Sequence, residues 1–150
     1  MRGVNRGHRV WPSLLVACVL ALGGLAEAIG PTLIPQVDEF IDAPRALFGR
    51  TRAEIERVLG VPPYPGVVIR YSPASALTSV AITTPTYHLP QGLGVGASRG
   101  DVERVLGEPQ EMTEGRYLYL YSDGYPDTVE FYFHDGRVRR IEWNYWAESR

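Results

Sequence analysis

The chain has no lysine: all fifteen of its basic residues are arginine. Chemistry that needs a lysine amine is closed to it, including Walker-type phosphate binding, Schiff-base formation and lysine general bases. Cysteine is nearly as scarce. Cys18 stands alone, which excludes an internal disulfide and a thiolate metal cluster. Beyond His8 the only histidines are His88 and His134. A metal site needs several ligands converging at defined spacing, so no metal is expected, and none of the sequence motifs calls for a cofactor. His88 lies in a Pro-bounded stretch, 84–90, and His134 beside Asp135 in a hairpin loop. Both read as surface residues. No serine sits in a nucleophile-elbow context, and spacing marks out no carboxylate pair, although folding alone can bring scattered carboxylates together. Net charge is −2, without the cationic excess that phosphate binding needs, so nucleic acid is not an expected partner.

The N-terminus has the layout of an export signal. Arg2, Arg6 and Arg9 precede an apolar stretch, 10–26, and Ala26-Glu27-Ala28 is a small-x-small cleavage site. Residues 1–28 therefore read as a signal peptide and Ile29 as the mature start. Losing those three arginines and Glu27 from 15 basic and 17 acidic residues leaves 12 and 16, a net charge of −4. Two other readings stay open. Leu15-Val16-Ala17-Cys18 fits a bacterial lipoprotein box, which would lipidate Cys18, but an apolar run, 19–26, would then follow where a polar tether is expected. Residues 10–30 retained as an uncleaved anchor is the third.

The main positive signal is a repeat. FGRTRAEIERVLGVP at 48–62 returns as VGASRGDVERVLGEP at 95–109, an offset of 47 with eight of fifteen positions identical. Self-similarity at a fixed period marks two copies of one supersecondary unit. Each copy specifies a short helix at both ends. Thr51 and Ser98 are N-caps. Glu54 and Asp101, three residues on, complete capping boxes, the second weaker. Ile55, Val58 and Leu59 make an apolar stripe, as do Val102, Val105 and Leu106. Gly60 and Gly107 stop the helices in a left-handed conformation, and Pro62 and Pro109 prevent their resumption. Leu59 and Leu106 should be equivalent core residues. Arg52–Glu56 and Arg99–Glu103 form i,i+4 pairs in the weaker orientation.

The pattern G-x-[ST]-R-x-[ED]-[IV]-E-R-V-L-G-x-P resembles the repeat of the SmpA/OmlA family of small outer-membrane lipoproteins. It is also similar to the tandem repeats of β-lactamase-inhibitor-like (BLIP-like) proteins. The resemblance covers 48–62 and 95–109 well and the following strands loosely. It implies units of short helices followed by antiparallel strands, acting by binding other proteins. No family binding residue matches a position here.

The rest of the chain fills in around the repeat. Residues 29–46 hold Pro31, Pro35 and Pro44 and read as a spacer with one turn of helix near 37–41. The first unit, 47–92, has strands near 67–71 and 78–84 with a turn at 73–76. Gly92-Leu93-Gly94-Val95-Gly96 brings its third glycine one residue early for a dinucleotide fingerprint and reads as a linker. The second unit, 93–150, has strands near 116–121, 128–133 and 137–146. Residues 47–150 form a single domain.

Two loop choices set the faces of those last strands. A three-residue loop, His134-Asp135-Gly136, pairs Phe133 with Arg137, Glu130 with Arg140 and Val129 with Ile141. A two-residue Asp-Gly turn would oppose Ile141 to Glu130. A four-residue loop, 123–126, pairs Ser122 with Asp127, Leu120 with Val129 and Leu118 with Phe131. Leu118, Leu120, Val129, Phe131, Phe133, Ile141, Trp143 and Tyr145 then face the core. Tyr117, Tyr119, Tyr121, Thr128, Glu130, Tyr132, Val138, Arg140 and Glu142 face outward. Tyrosine and arginine on an open sheet suit a protein-binding surface, with Tyr117, Tyr119, Tyr121, Glu130, Tyr132 and Arg140 as its candidates. The plainer reading is that tyrosine favours half-buried strands.

The expected fold class is α+β: two tandem helix-plus-antiparallel-strands units forming one sheet with helices on one face. The expected function is an exported, non-enzymatic protein-binding or envelope-assembly module. Its expected location is the periplasm, outer membrane or extracellular space, with membrane contact only through an N-terminal anchor. The alternative is a small exported hydrolase or ligand carrier with a helix–sheet pocket. A third reading has a second copy covering the tyrosine face.

Overall fold

Both repeat helices form where their caps place them, α2 at Arg52–Leu59 and α3 at Arg99–Leu106. A computed structural model describes residues 33–124 and 126–146 of the chain. The expected signal peptide, Cys18 and the cleavage site at Ala28 lie outside them. Both capping boxes are complete: Thr51 accepts from the Glu54 N–H and Ser98 from the Asp101 N–H, and each acidic side chain returns to its cap backbone. Those bonds stabilise the charged forms. Glu54 is held below the usual carboxylate range by the Arg50 and Thr51 N–H groups, and Asp101 by its bond to the Ser98 side chain. Gly60 and Gly107 end the helices at φ 83° and 78°, with ψ near −164° and −162°. That positive-φ extended region, rather than the left-handed helical one, is open essentially to glycine alone.

The described residues form six strands: β1 (Val67–Tyr71), β2 (Leu77–Ile82), β3 (Glu111–Met112), β4 (Arg116–Leu120), β5 (Thr128–His134) and β6 (Arg137–Asn144). They form one antiparallel sheet in the order β1-β2-β6-β5-β4-β3. The fold is α+β, helices packing on a sheet, as the repeat implied. The last strand in sequence, β6, lies between the hairpins of the two units, joining them into one core.

The largest departure from the sequence reading is the supposed spacer. It is a sixteen-residue helix, α1 (Leu33–Phe48), and it carries Phe40 and Ile41 at 0% exposure. Val37, Phe40, Ile41, Pro44 and Phe48 are all buried, a helical spacing of i, i+3, i+4, i+7 and i+11. Pro44 hides the pattern, since proline inside a helix removes the bond to the carbonyl four residues back. That carbonyl belongs to Phe40, and the Trp143 indole Nε1–H donates to it at 2.8 Å. Tyr145 donates its hydroxyl to the next carbonyl, Ile41, at 2.8 Å. The C-terminal part of the sheet thus supplies the donor that α1 lacks. Phe40 also packs against Phe131 and Trp143, with ring centroids 5.4 and 5.7 Å apart.

A polar cluster ties the same helix to the end of the sheet. Arg45 bonds Asp127 at 3.0 Å, with side chains only 10% and 6% exposed, and its guanidinium lies 3.8 Å over the Tyr145 ring. Asp127 also accepts from the Trp146 N–H at 3.0 Å. Asp42 accepts from Arg45 and from the Tyr121 hydroxyl, and that bond pushes the Tyr121 phenol up to about 12. Asp38 accepts from the Ser122 N–H at 2.9 Å.

The repeat helices are not equally seated. Ile55 and Val102 are both at 0% exposure and Leu106 is buried, but Leu59 is only half-buried. Val58 is 59% exposed against 8% for Val105. The repeat arginines also depart from the i,i+4 expectation: Arg52 lies 4.7 Å over the Tyr71 ring and Arg99 4.9 Å over Phe133. Glu103 accepts instead from the Tyr117 hydroxyl.

Candidate functional site

The helix-free face of the sheet, the one no helix covers among the described residues, is built from residues whose strand neighbours point inward. Val129, Phe131, Phe133, Ile141, Trp143 and Tyr145 are buried, as alternation in β5 and β6 requires. Glu130, Tyr132, Arg140 and Glu142 then lie on the opposite face, as the sequence reading placed them. The route there differs. Asp135 (φ 50°) and Gly136 (φ 73°) make a two-residue turn, pairing His134 with Arg137 and Phe133 with Val138. A bulge follows, after which Tyr132 pairs with Arg140 and Phe131 with Ile141. The extra residue restores the phase that the shorter turn would have inverted. Val138 lies before the bulge and is buried at 2%, not outward as expected.

Strand β4 is inverted relative to its expected face. Tyr117 pairs with Phe131 and Tyr119 with Val129, one residue from the predicted register. Tyr117 and Tyr119 are core residues, at 3% and 0% exposure, while Leu120 is 39% exposed and Leu118 lies beside it on the open face. Tyr119 packs edge-on against Phe131 and donates to the Gly107 carbonyl at 2.9 Å. Burial pushes its phenol up, while the Glu103 bond is the largest cause of the rise at Tyr117. Tyr121, half-buried, also points to the helix side through Asp42. The cause is loop length. Tyr121 N–H bonds the Asp127 carbonyl, leaving five residues between them rather than four between Ser122 and Asp127. One residue of slip exchanges the faces. The loop ends are held from α1, by Asp38 at Ser122 and Arg45 at Asp127.

What remains outward forms two rows. Arg116, Tyr132 and Arg140 are direct neighbours across β4, β5 and β6. Beside them run Leu118, Glu130, Glu142, Ala81 and Val68. Glu130 and Glu142 are directly opposed, a pairing that destabilises a sheet unless the charges are compensated. Compensation comes from the arginine row. Arg116 bonds Glu130 at 3.0 Å and Glu111 at 2.6 Å, and Arg140 bonds Glu142. Tyr132 donates to Glu130 at 2.9 Å and lies under Arg140, 5.2 Å from guanidinium carbon to ring centroid. Partial burial, then that bond, raises the Tyr132 phenol above its ordinary value. The result is an ordered Arg–Tyr–Arg platform. Arg116 and Glu111 belong to it and were missed in the sequence; the only signal was Arg116 two residues before Leu118, readable once β4 is inverted.

Other features are peripheral. His88 lines a cavity of about 350 Å³ with Tyr87, Asp101 and Arg104. His134 lies 3.4 Å from Asp135 in the exposed turn. Among the described residues no three His, Cys, Asp or Glu side chains converge as a metal site requires, and no helix is long and apolar enough to cross a membrane. Comparison with protein-family models, curated proteins and solved structures found no match to this chain.

Proposed function

We propose that this chain is an exported, non-enzymatic protein-binding module of the bacterial envelope, akin to the SmpA/OmlA lipoproteins and BLIP-like proteins its repeat resembles. The docking surface is the helix-free face, centred on Tyr132 with Arg116 and Arg140 beside it and Glu130 and Glu142 behind. One observation carries the reading: the Arg–Tyr–Arg row is held in place by bonds within the sheet. Tyrosine and arginine are the types that dominate binding energy at interfaces, and side chains ordered before binding lose less entropy on docking. Both glutamates are engaged by guanidinium groups, which suits recognition better than proton transfer.

The test is affinity recovery from a bacterial envelope extract, comparing the wild-type chain with Tyr132→Ala. Loss of a specific partner with a cooperative melting transition retained supports the proposal. Equal recovery by both proteins refutes the face as the docking surface.

A further inference from the structure

The two ends of the sheet differ in length: the edge strand of the second unit, β3, has two residues, and that of the first, β1, has five. In the second unit β3 covers β4. The Gln110 N–H bonds the Leu118 carbonyl, the Thr113 N–H bonds the Arg116 carbonyl, and Glu111 of β3 pairs with Arg116 at 2.6 Å. In the first unit the outer strand is β1, and among the described residues no strand lies beyond it. The Thr83 N–H bonds the Gly66 carbonyl. By antiparallel alternation Val68 and Arg70 then face β2 with their backbone groups, and Ile69 turns its N–H and C=O to the edge. Val67 also faces outward, but its N–H is taken by the Tyr64 carbonyl at 3.1 Å.

The side chains around this edge differ by face. On the helix side, Ile69 lines a cavity of about 470 Å³ with Arg52, Pro63, Tyr64 and Tyr71. On the open side, Val68 is 59% exposed, and Arg70 is exposed with no ion-pair partner among the described residues.

We propose that β1 accepts an extended segment of a partner protein as a seventh strand. The segment carries an apolar side chain opposite Ile69 and an acidic one opposite Arg70. Side chains alternate along a strand, so the apolar group enters the cavity while its neighbour meets the guanidinium. An ion pair of the same kind lies at the opposite end of the sheet, where Glu111 of β3, paired in register with Leu118, reaches diagonally to Arg116 of β4. Main-chain bonds to Ile69 give affinity and the two side chains give selectivity, as in other strand additions. A second copy fits less well. Two-fold pairing about Ile69 would set each Arg70 opposite Val68 and leave both cations unpaired, and charge on an edge strand works against self-association. The site is separate from the Arg116–Tyr132–Arg140 platform and does not depend on it.

The test is fluorescence anisotropy with the full chain and two labelled peptides, Thr-Glu-Leu-Thr-Val-Thr and its charge-reversed form Thr-Arg-Leu-Thr-Val-Thr. The acidic peptide should bind at least tenfold more tightly. Arg70→Glu should invert that preference, and Ile69→Pro, which removes the outward N–H and cuts back the side chain lining the cavity, should weaken both peptides tenfold or more. Arg70 is exposed, so its variant keeps the test valid if Ile69→Pro does not fold. Tyr132→Ala should leave peptide affinity unchanged, which separates failure here from failure of the face. Three results would overturn the proposal: no binding at millimolar peptide, a preference that survives Arg70→Glu, or a dimer in sedimentation that Ile69→Pro dissolves.

Discussion

Replacing Tyr119 with alanine should destabilise the fold severely, whereas replacing Tyr132, on the neighbouring strand, should not. Tyr119 is at 0% exposure, edge-on to Phe131 at 5.9 Å, with its hydroxyl on the Gly107 carbonyl at 2.9 Å. Truncating a buried aromatic costs about 3–5 kcal/mol through lost transfer energy and the residual cavity. Tyr119→Phe isolates the hydroxyl and should cost about 1 kcal/mol, the usual net value of one such bond. For a domain of this size the alanine change lowers Tm by roughly 12–20 °C, taking about 4 °C per kcal/mol. Tyr132 is half-buried on the other face, and its truncation gives up one hydroxyl bond and a guanidinium contact, together about 1–2 kcal/mol. Urea titrations followed by circular dichroism measure all three, provided the m-values agree. Comparable losses for Tyr119→Ala and Tyr132→Ala, or a neutral Tyr119→Ala, would mean that β4 has the opposite face inward and that the platform is misassigned.

Trp143→Phe should cost about 1 kcal/mol more in the wild type than in Pro44→Ala, where a restored N–H satisfies the Phe40 carbonyl; a double-mutant cycle that is additive would show the indole bond to be incidental. Leu106→Ala should cost about 2–5 kcal/mol and Leu59→Ala clearly less, since only Leu106 is fully buried; equal denaturant midpoints would show α2 and α3 to be equivalently seated. At high pH the buried phenols should limit stability. Tyr119, Tyr121 and Tyr145 are raised in the folded state, so their contribution is complete below the unfolded value near 10 and is lost as pH climbs through about 12 at Tyr121. Tyrosinate absorbance should then rise cooperatively with unfolding, and smooth titration of all nine tyrosines near pH 10 would contradict this.

The repeat helices were legible from sequence because their signals are local. A cap, a box residue three positions on, and a glycine at the far end act within one short segment, so Thr51–Gly60 and Ser98–Gly107 declare themselves without the rest of the chain. The inward set of β5 and β6 was legible too, since Val129, Phe131, Ile141 and Trp143 alternate with charged or polar residues. Strand β4 was not. In Arg116-Tyr117-Leu118-Tyr119-Leu120 both phases are apolar, so alternation expresses no preference. A five-residue loop decided it, pinned by Asp38 and Arg45 from a helix some eighty residues earlier. That helix was itself concealed. Pro44 breaks the local hydrogen-bond pattern, and its replacement donor, Trp143, lies 103 residues from the Phe40 carbonyl it serves. Elements specified within a turn or two can be read along the chain. The direction of β4 and the existence of α1 depend on partners that only folding brings near, and so does the candidate site built upon them.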